Sequence, residues 1–523
     1  MRYGLFGDAR RLRCAALLAA ALHATACRQV PECLHCADPD PIPGTLPETM
    51  DGCGVFADAS APPGGDGTRH SPYSRLQEAI DGASGKRVCA CAGQPFDEAV
   101  TLRAGIEVFG GYTCEAWTRP PGARSAIQGP PGQVALTLTA EAGGAKVEAF
   151  DISAESAEGR LGGSAIAVAV ADVAAELREV TVVAGDGKRG SDAEPERESA
   201  ESGADAPRGS EAGAPTAPCI SSAPQGGQPG LTMCGAVDTR GGAGGPGATL
   251  LDPDRAHRSG ERGANGAPTP DPTTTATGNG GSLDERWTVV SAAQGAPGAT
   301  GTPGAGGRRE SLTLSGIQGG DGAEGTRGQP GQGGGGGAGD IPMGRCTLPN
   351  DALLAGPSGG GGGAGGCGGK GGAGGRAGGS SIGIVSLGTK LVMVEVIAAV
   401  GGAGDGGNGA SGQSGGRGGS GAPGGVILGY DLWSSDGRGG NGGSGGAGGP
   451  GGGGRGGDAL GIAYAMCPAA SGIAQGLTVR SLGNAGVGGK GGDDRRPGVV
   501  SSPGEPGVRA ECWCSETNAS CGE

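Results

Sequence analysis

Gly379-Ser380-Ser381-Ile382-Gly383-Ile384-Val385 opens a block that continues, after a short break, as Val392-Met393-Val394-Glu395-Val396-Ile397. The same plan occurs twice more. Gly163-Ser164-Ala165-Ile166-Ala167-Val168 leads to Leu177-Arg178-Glu179-Val180-Thr181-Val182-Val183, and Gly457-Asp458-Ala459-Leu460-Gly461-Ile462-Ala463 leads to Gly476-Leu477-Thr478-Val479. Each block is glycine, a small or polar residue, an apolar strand, a break and a second strand, and each then enters a glycine-rich run. Short apolar runs rich in β-branched residues read as strands. One such pair cannot bury its own apolar face, whereas pairs stacked on one another form a continuous core. The expected fold is therefore all-β, a parallel solenoid with glycine-rich insertions. A small β-sandwich with very long loops is the other architecture this pattern allows.

Toward the N-terminus the order of elements is informative. Gly54-Val55-Phe56 starts a short apolar run, and Gly64-Gly65-Asp66-Gly67-Thr68 reads as a turn. In Pro72-Tyr73-Ser74-Arg75-Leu76-Gln77-Glu78-Ala79-Ile80 the residues Leu76, Ala79 and Ile80 share one face of a short helix. Ser74 is placed to cap it, with Gln77 three residues on as in a capping box. Val88, Val100-Leu102 and Ile106-Val108-Phe109-Gly110-Gly111-Tyr112 follow. This succession resembles the entrance to right-handed parallel β-helix domains of the pectin-lyase-like kind, over residues 54–185. With the glycine tracts behind it, the chain is similar to bacterial PGRS-type glycine-rich lipoproteins. The resemblance implies a right-handed parallel β-helix and brings no catalytic residues with it.

The glycine is patterned. The chain has 124 Gly and 36 Pro among 523 residues, and only 3% aromatic residues, a composition that points to a loop-dominated chain. From Gly316 to Gly337 every third residue is Gly, and similar runs span Gly356 to Gly374, Gly406 to Gly424 and Gly439 to Gly457. Period three is the period of polyproline II. Collagen is excluded because the runs are short, Pro is sparse between the glycines and strands interrupt them. Two readings remain: flexible disordered loops, or extended left-handed helices packed through their glycine edges. Disorder is the expectation. Residues 186–280, rich in Asp, Glu, Pro and Ser, read as disordered on either view.

The first residues read as an export signal. Arg2, Arg10, Arg11 and Arg13 precede the apolar run Cys14 to Leu22, which is too short to span a bilayer. Ala24-Thr25-Ala26-Cys27 resembles a lipobox with Ala24 in the usual Leu position, which makes Cys27 the expected lipidation site. Cleavage after Ala24-Thr25-Ala26 by an ordinary signal peptidase is the alternative. Of the 16 Cys, removing Cys14 and Cys27 leaves an even set: Cys33, Cys36, Cys53, Cys89, Cys91, Cys114, Cys219, Cys234, Cys346, Cys367, Cys467, Cys512, Cys514 and Cys521. In an exported chain these are disulfide candidates. Cys33-Leu34-His35-Cys36 has metal or redox spacing, but no second such pair completes a zinc site and no thioredoxin-like strand-helix pattern follows, so no metal is assigned. The formal charge of −14 is dispersed, which argues against nucleic-acid binding.

The expected organisation is a signal peptide at 1–26, a tether at 27–52 and N-terminal coils with a capping helix at 53–185. A low-complexity insertion at 186–378, further coils at 379–500 and a Cys-rich tail at 501–523 follow. Catalytic motifs are not found. Gly356-Pro357-Ser358-Gly359-Gly360 and Gly442-Gly443-Ser444-Gly445-Gly446 match a nucleophile-elbow pattern but lack its strand-to-helix context. Gly404-Asp405-Gly406 lacks the repeat that calcium sites need. No cofactor is expected. The expected role is a lipid-anchored, non-catalytic envelope protein, structural or adhesive, with the membrane and envelope or extracellular polysaccharide as partners. A β-helix polysaccharide lyase or hydrolase using Asp493 and Asp494 is the enzymatic alternative. A carbohydrate-binding protein using Trp117, Trp287 and Trp433 is a third reading.

Overall fold

The computed structural model describes residues 53–157, 161–209, 219–220, 223–248, 261–268, 277–283, 289–341, 353–426, 437–469, 474–493 and 502–521. Its regular structure is almost entirely strand, as the three sequence blocks require. The first sheet runs Val55–Ala57, Val88–Cys91, Glu107–Tyr112, Ala145–Ala154, Ala175–Ala184, Val396–Val400 and Leu477–Leu482, every pair parallel. Ser125–Gly129 and Leu391–Val394 join it beside Ala145–Ala154 and Ala175–Ala184. The second sheet runs Val100–Leu102, Val134–Leu138, Ala165–Val170, Ser381–Ser386, Ala459–Tyr464 and Arg509–Cys514, again parallel, and ends on the antiparallel Ala519–Ser520. The three blocks that look alike in sequence are thus neighbours in both sheets. A sandwich of antiparallel hairpins would not pair them in this way.

Register explains the composition of the strands. Val100, Leu136, Val168, Ile384, Ile462 and Cys512 form one file across the second sheet. Val55, Val88, Val108, Val147, Leu177 and Met393 form a file in the first. All belong to one buried apolar cluster except the partly buried Cys512, which packs against it. Each fully buried aliphatic side chain contributes about 1.5–3 kcal/mol. Ala149, Glu179 and Glu395 carry positive φ values of 58°, 51° and 55°, and they occupy one rung position, bracketed by the pairs Glu148↔Arg178, Val394↔Arg178 and Ile397↔Thr181. The first sheet therefore bends at the same place in successive strands.

The second sheet is apolar on both faces. Ile166, Ile382, Leu460 and Ala510 face away from the first cluster and pack with Leu312 and Ile317 of the hairpin Arg309–Thr313/Gly316–Gly319. That is why Ala165–Val170, Ser381–Ser386 and Ala459–Tyr464 are buried at every residue. Gly316 sits at φ +94°, and a Cβ there would meet Ile166 Cδ1 at 2.7 Å.

The helix forms at Leu76–Gly82 with Leu76, Ala79 and Ile80 buried, but Ser74 does not cap it. Glu98 Oε1, on the next turn of chain, accepts from Leu76 N at 2.7 Å. Gln77 serves the sheet: its Oε1 accepts from Thr101 N at 2.7 Å and its Nε2 donates to Thr101 O at 3.0 Å. A local capping box gives way to a buried carboxylate and to closure of a sheet edge.

The glycine tracts are the largest departure from expectation. They have no internal ladder, yet they bond to one another at three-residue intervals. Gly439, Gly442, Gly445, Gly448, Gly451, Gly454 and Gly457 donate to Ala422, Gly419, Gly416, Gln413, Ala410, Gly407 and Gly404 in an antiparallel pair of tracts. Gly360, Gly363, Gly366, Gly369, Gly372 and Gly375 donate to Gly437, Gly440, Gly443, Gly446, Gly449 and Gly452 in a parallel pair. The tract at 437–458 bonds to those at 401–426, 355–380, 319–341, 291–308, 483–493 and 502–508, six neighbours in all. Close approach dictates the residue: a Cβ on Gly445 would lie 2.0 Å from the carbonyl oxygen of Cys367. Residues 186–209 are also engaged, with Gly187, Gly190, Ala193, Ala200, Gly203, Ala206 and Gly209 donating to the 401–426 tract.

Candidate functional site

The most concentrated chemistry among the described residues lies where the tract 437–458 enters the second sheet. Arg455 is 1% exposed and Asp458 is fully buried. Arg455 Nη1 and Nη2 donate to Asp458 Oδ2 and Oδ1 at 2.9 and 2.6 Å. Arg309 Nη2, from the hairpin, donates to Asp458 Oδ1 at 3.1 Å, and Val508 N donates to the same oxygen at 2.6 Å. Asp458 N donates to Ser380 Oγ at 2.9 Å. One carboxylate thus holds together a glycine tract, the hairpin and the entry to the Arg509–Cys514 strand, while the Asp458 N–H reaches the entry to the Ser381–Ser386 strand. Arg309 also lies 4.6 Å above the Trp513 ring. Burial pulls the Arg309 guanidinium below its ordinary value, opposed by Asp458 and reinforced by Arg455. A charge group so enclosed is suited to positioning rather than to proton transfer, since both carboxylate oxygens are already taken by Arg455, Arg309 and Val508 N.

A second network lies on the first sheet. Glu148, 3% exposed, pairs with Arg119 Nη1 at 2.9 Å and Lys146 Nζ at 3.0 Å, with Arg178 Nε at 3.9 Å. Arg178 and Lys146 both reach on to Glu176. Lys146 and Arg87 lie over the Phe109 ring. Tyr112, in the same region, has its phenol pushed up by burial.

A third arrangement recurs along the rim of the glycine tracts. Asp and Asn side chains accept from backbone N–H groups of the neighbouring tract: Asp186 from Gly402 at 2.7 Å, Asp192 from Asn408 at 2.6 Å, Asp205 from Ser420 at 2.6 Å, Asp405 from Val487 at 2.8 Å and Asn408 from Lys490 at 2.9 Å. The Asn408 N–H holds the Asp192 carboxyl below its ordinary range, helped by Arg189 and opposed by burial. These side chains supply acceptors to N–H groups of the neighbouring tract that do not bond to a backbone carbonyl.

The expected cysteine sites are placed as follows. Cys53–Cys89, Cys91–Cys114, Cys234–Cys367, Cys467–Cys514 and Cys512–Cys521 are disulfides. Cys27, Cys33, Cys36 and Cys346 lie outside the described residues, and Cys219 lies in the two-residue strand Cys219–Ile220. The Cys-containing clusters with metal-like proximity, Asp58 with Cys91 and Cys114 and Glu516 with Cys467 and Cys514, each consist of a disulfide beside one carboxylate. Disulfide sulfurs are not thiolate ligands. Asp493 is exposed, and Asp494 lies outside the described residues. Trp117 is 2% exposed and meets Phe56 edge-on at 4.7 Å, so it is a core residue and not a sugar platform. Trp287 and Trp433 lie outside the described residues.

Sequence reasoning missed Asp458 as an organising residue, although it stands at the expected strand entry. The available signal was the Arg455-Gly456-Gly457-Asp458 spacing, an ion pair closing over two glycines. Among the described residues no helix is long and apolar enough to cross a membrane. Comparison with known proteins finds no matching family model, no matching curated protein and no matching solved structure.

Proposed function

We propose that the chain is an exported, lipid-anchored envelope protein with a non-catalytic structural or adhesive role. The observation that carries this reading is the signal ending in Ala24-Thr25-Ala26-Cys27. Paired cysteines support it, because such bonds persist in oxidising compartments. Acylation would fix the chain to a membrane at Cys27 and leave the sheets and glycine tracts to face outward. Palmitate labelling and globomycin-sensitive processing test the anchor. Loss of both in Cys27→Ala is the expected result, and a Cys27→Ala chain that stays labelled and membrane-bound overturns it.

We read the two parallel sheets as coils of a right-handed parallel β-helix. The in-register files of Val, Leu and Ile support this, as does the strong right-handed preference of parallel crossovers. The glycine tracts are then long excursions from the coil turns, packed as a polyglycine-II-like bundle. The three-residue spacing of their bonds supports that description. Such a bundle gives a stiff body without an apolar core, a property fitted to a protein that projects from a surface.

A further inference from the structure

The hairpin Arg309–Thr313/Gly316–Gly319 covers the outer face of the second sheet over its middle and later strands and leaves the first strands open. The uncovered part is a trough of about 930 Å³, within the range of ligand sites. Its floor includes Thr101 and Thr137, side by side in register on Val100–Leu102 and Val134–Leu138. Gln133, with Ser315 and Gln318 from the hairpin, also lines it.

We propose that this trough binds a neutral oligosaccharide. Three observations select that class. First, the lining is rich in hydroxyls and side-chain amides, the groups that exchange hydrogen bonds with sugar hydroxyls. Second, the charged groups among the described lining residues neutralise each other: Arg376 Nη1 donates to Asp321 Oδ2 at 2.5 Å, and Asp321 Oδ1 is taken by Ala377 N at 2.8 Å. An acidic glycan or a phosphate backbone would find no unpaired cation among the described lining residues. Third, an extended peptide is disfavoured. Peptides commonly dock by adding a strand to a sheet edge, and the edge at this end is closed by Gln77, which takes both the N–H and the C=O of Thr101. The trough therefore presents a sheet face, not an edge. Its position gives the adhesive role proposed above a ligand and a place, and in that sense rests on it.

The test uses the mature chain without its lipid, so that failure to bind and failure to be anchored are observed separately. Cellohexaose, maltohexaose, xylohexaose, mannohexaose and chitohexaose are titrated by calorimetry, with hexagalacturonate and an uncharged heptapeptide as comparators. The expected result is binding of at least one neutral hexaose, weakened at least about tenfold by Thr137→Arg and by Gln133→Ala with Gln318→Ala. Thr137→Arg blocks the floor, whereas the paired alanine variant removes only exposed walls and keeps the test valid if the first variant folds poorly. No binding of any neutral hexaose, tighter binding of hexagalacturonate or the peptide, or neutral-sugar binding unchanged in the alanine variant overturns the proposal.

Discussion

Arg455 and Asp458 form a two-bond ion pair at the point where a glycine tract becomes a strand, and neither side chain reaches solvent. Such a pair need not add net stability, since desolvating two charges is costly, but losing one partner strands the other. Asp458→Asn is expected to destabilise the protein by about 3–5 kcal/mol, read from denaturant midpoints. Arg455→Leu combined with Asp458→Ala is expected to cost less than the two single changes summed, as coupled residues do.

The close approach at Gly445 makes a sharper test of the bundle. A Cβ there would lie 2.0 Å from the Cys367 oxygen and 2.4 Å from its carbonyl carbon. Gly445→Ala is expected to cost about 1–3 kcal/mol or more, whereas Ser444→Ala, at the exposed position beside it, stays within about 0.5 kcal/mol. Thermal melts of the two variants check this. Equal effects would mean that the tracts are not packed against one another.

Cys234 and Cys367 close a loop with a sequence separation of 133 and tie the turn at 233–238 to the 355–380 tract. On the chain-entropy view, opening so long a loop costs about 4–5 kcal/mol. The variant with both residues changed to Ser is expected to melt lower. Non-reducing peptide mapping is expected to show the wild-type crosslink.

Acid is expected to loosen the rim of the bundle. The Asp192 carboxyl is held below its ordinary value by the Asn408 N–H in the folded chain. A depressed folded value means that the stability it adds is present above the unfolded pKa and is lost as pH falls through the folded one, below about 3.8. Relative to the intrinsic rate, which itself falls toward acid pH, hydrogen exchange at Asn408 N is expected to show an excess as pH drops below about 3.8. In Asp192→Asn that excess is expected to shrink, because an amide oxygen accepts the same bond at any pH.

Glu98 gives a prediction for the helix. Its Oε1 accepts from Leu76 N, while Arg75 lies 3.1 Å from the other oxygen. Glu98→Ala is expected to cost about 1–2 kcal/mol, the scale of a lost N-cap, and Ser74→Ala is expected to be nearly neutral. Denaturant titration of both variants separates the distant cap from the local one.

What was legible in the sequence follows from where each interaction partner lies. The strand blocks announce themselves because Ile382, Ile384, Leu460 and Ile462 must be apolar wherever they pair. The helix face of Leu76, Ala79 and Ile80 is local in the same sense. Its cap is not, since Glu98 arrives from a later strand region and takes the role that spacing gave to Ser74. Residues 186–209 were the hardest to read. Their acidic, valine-poor composition is that of a chain with no core to build. As an outer tract they need only place N–H groups against residues 401–426, every third residue over 187–193 and again over 200–209, and their charged side chains remain in water. Composition reports burial, and a rim tract buries backbone instead.

The three-residue spacing of the bundle also constrains how such a protein can change length. Lengthening or shortening an inner tract by three residues moves its ends one step along its six neighbours and keeps every carbonyl opposite a glycine. An indel of one or two residues would bring alanine, arginine or serine onto a glycine edge along the whole run. The outer tract is exempt: the seven steps from Ala193 to Ala200 span the six from Asn408 to Ser414. The gene would then tolerate length variation in whole triplets of codons inside the bundle and in any number of codons at its margin, so the interior acts as a ruler and the rim as its slack.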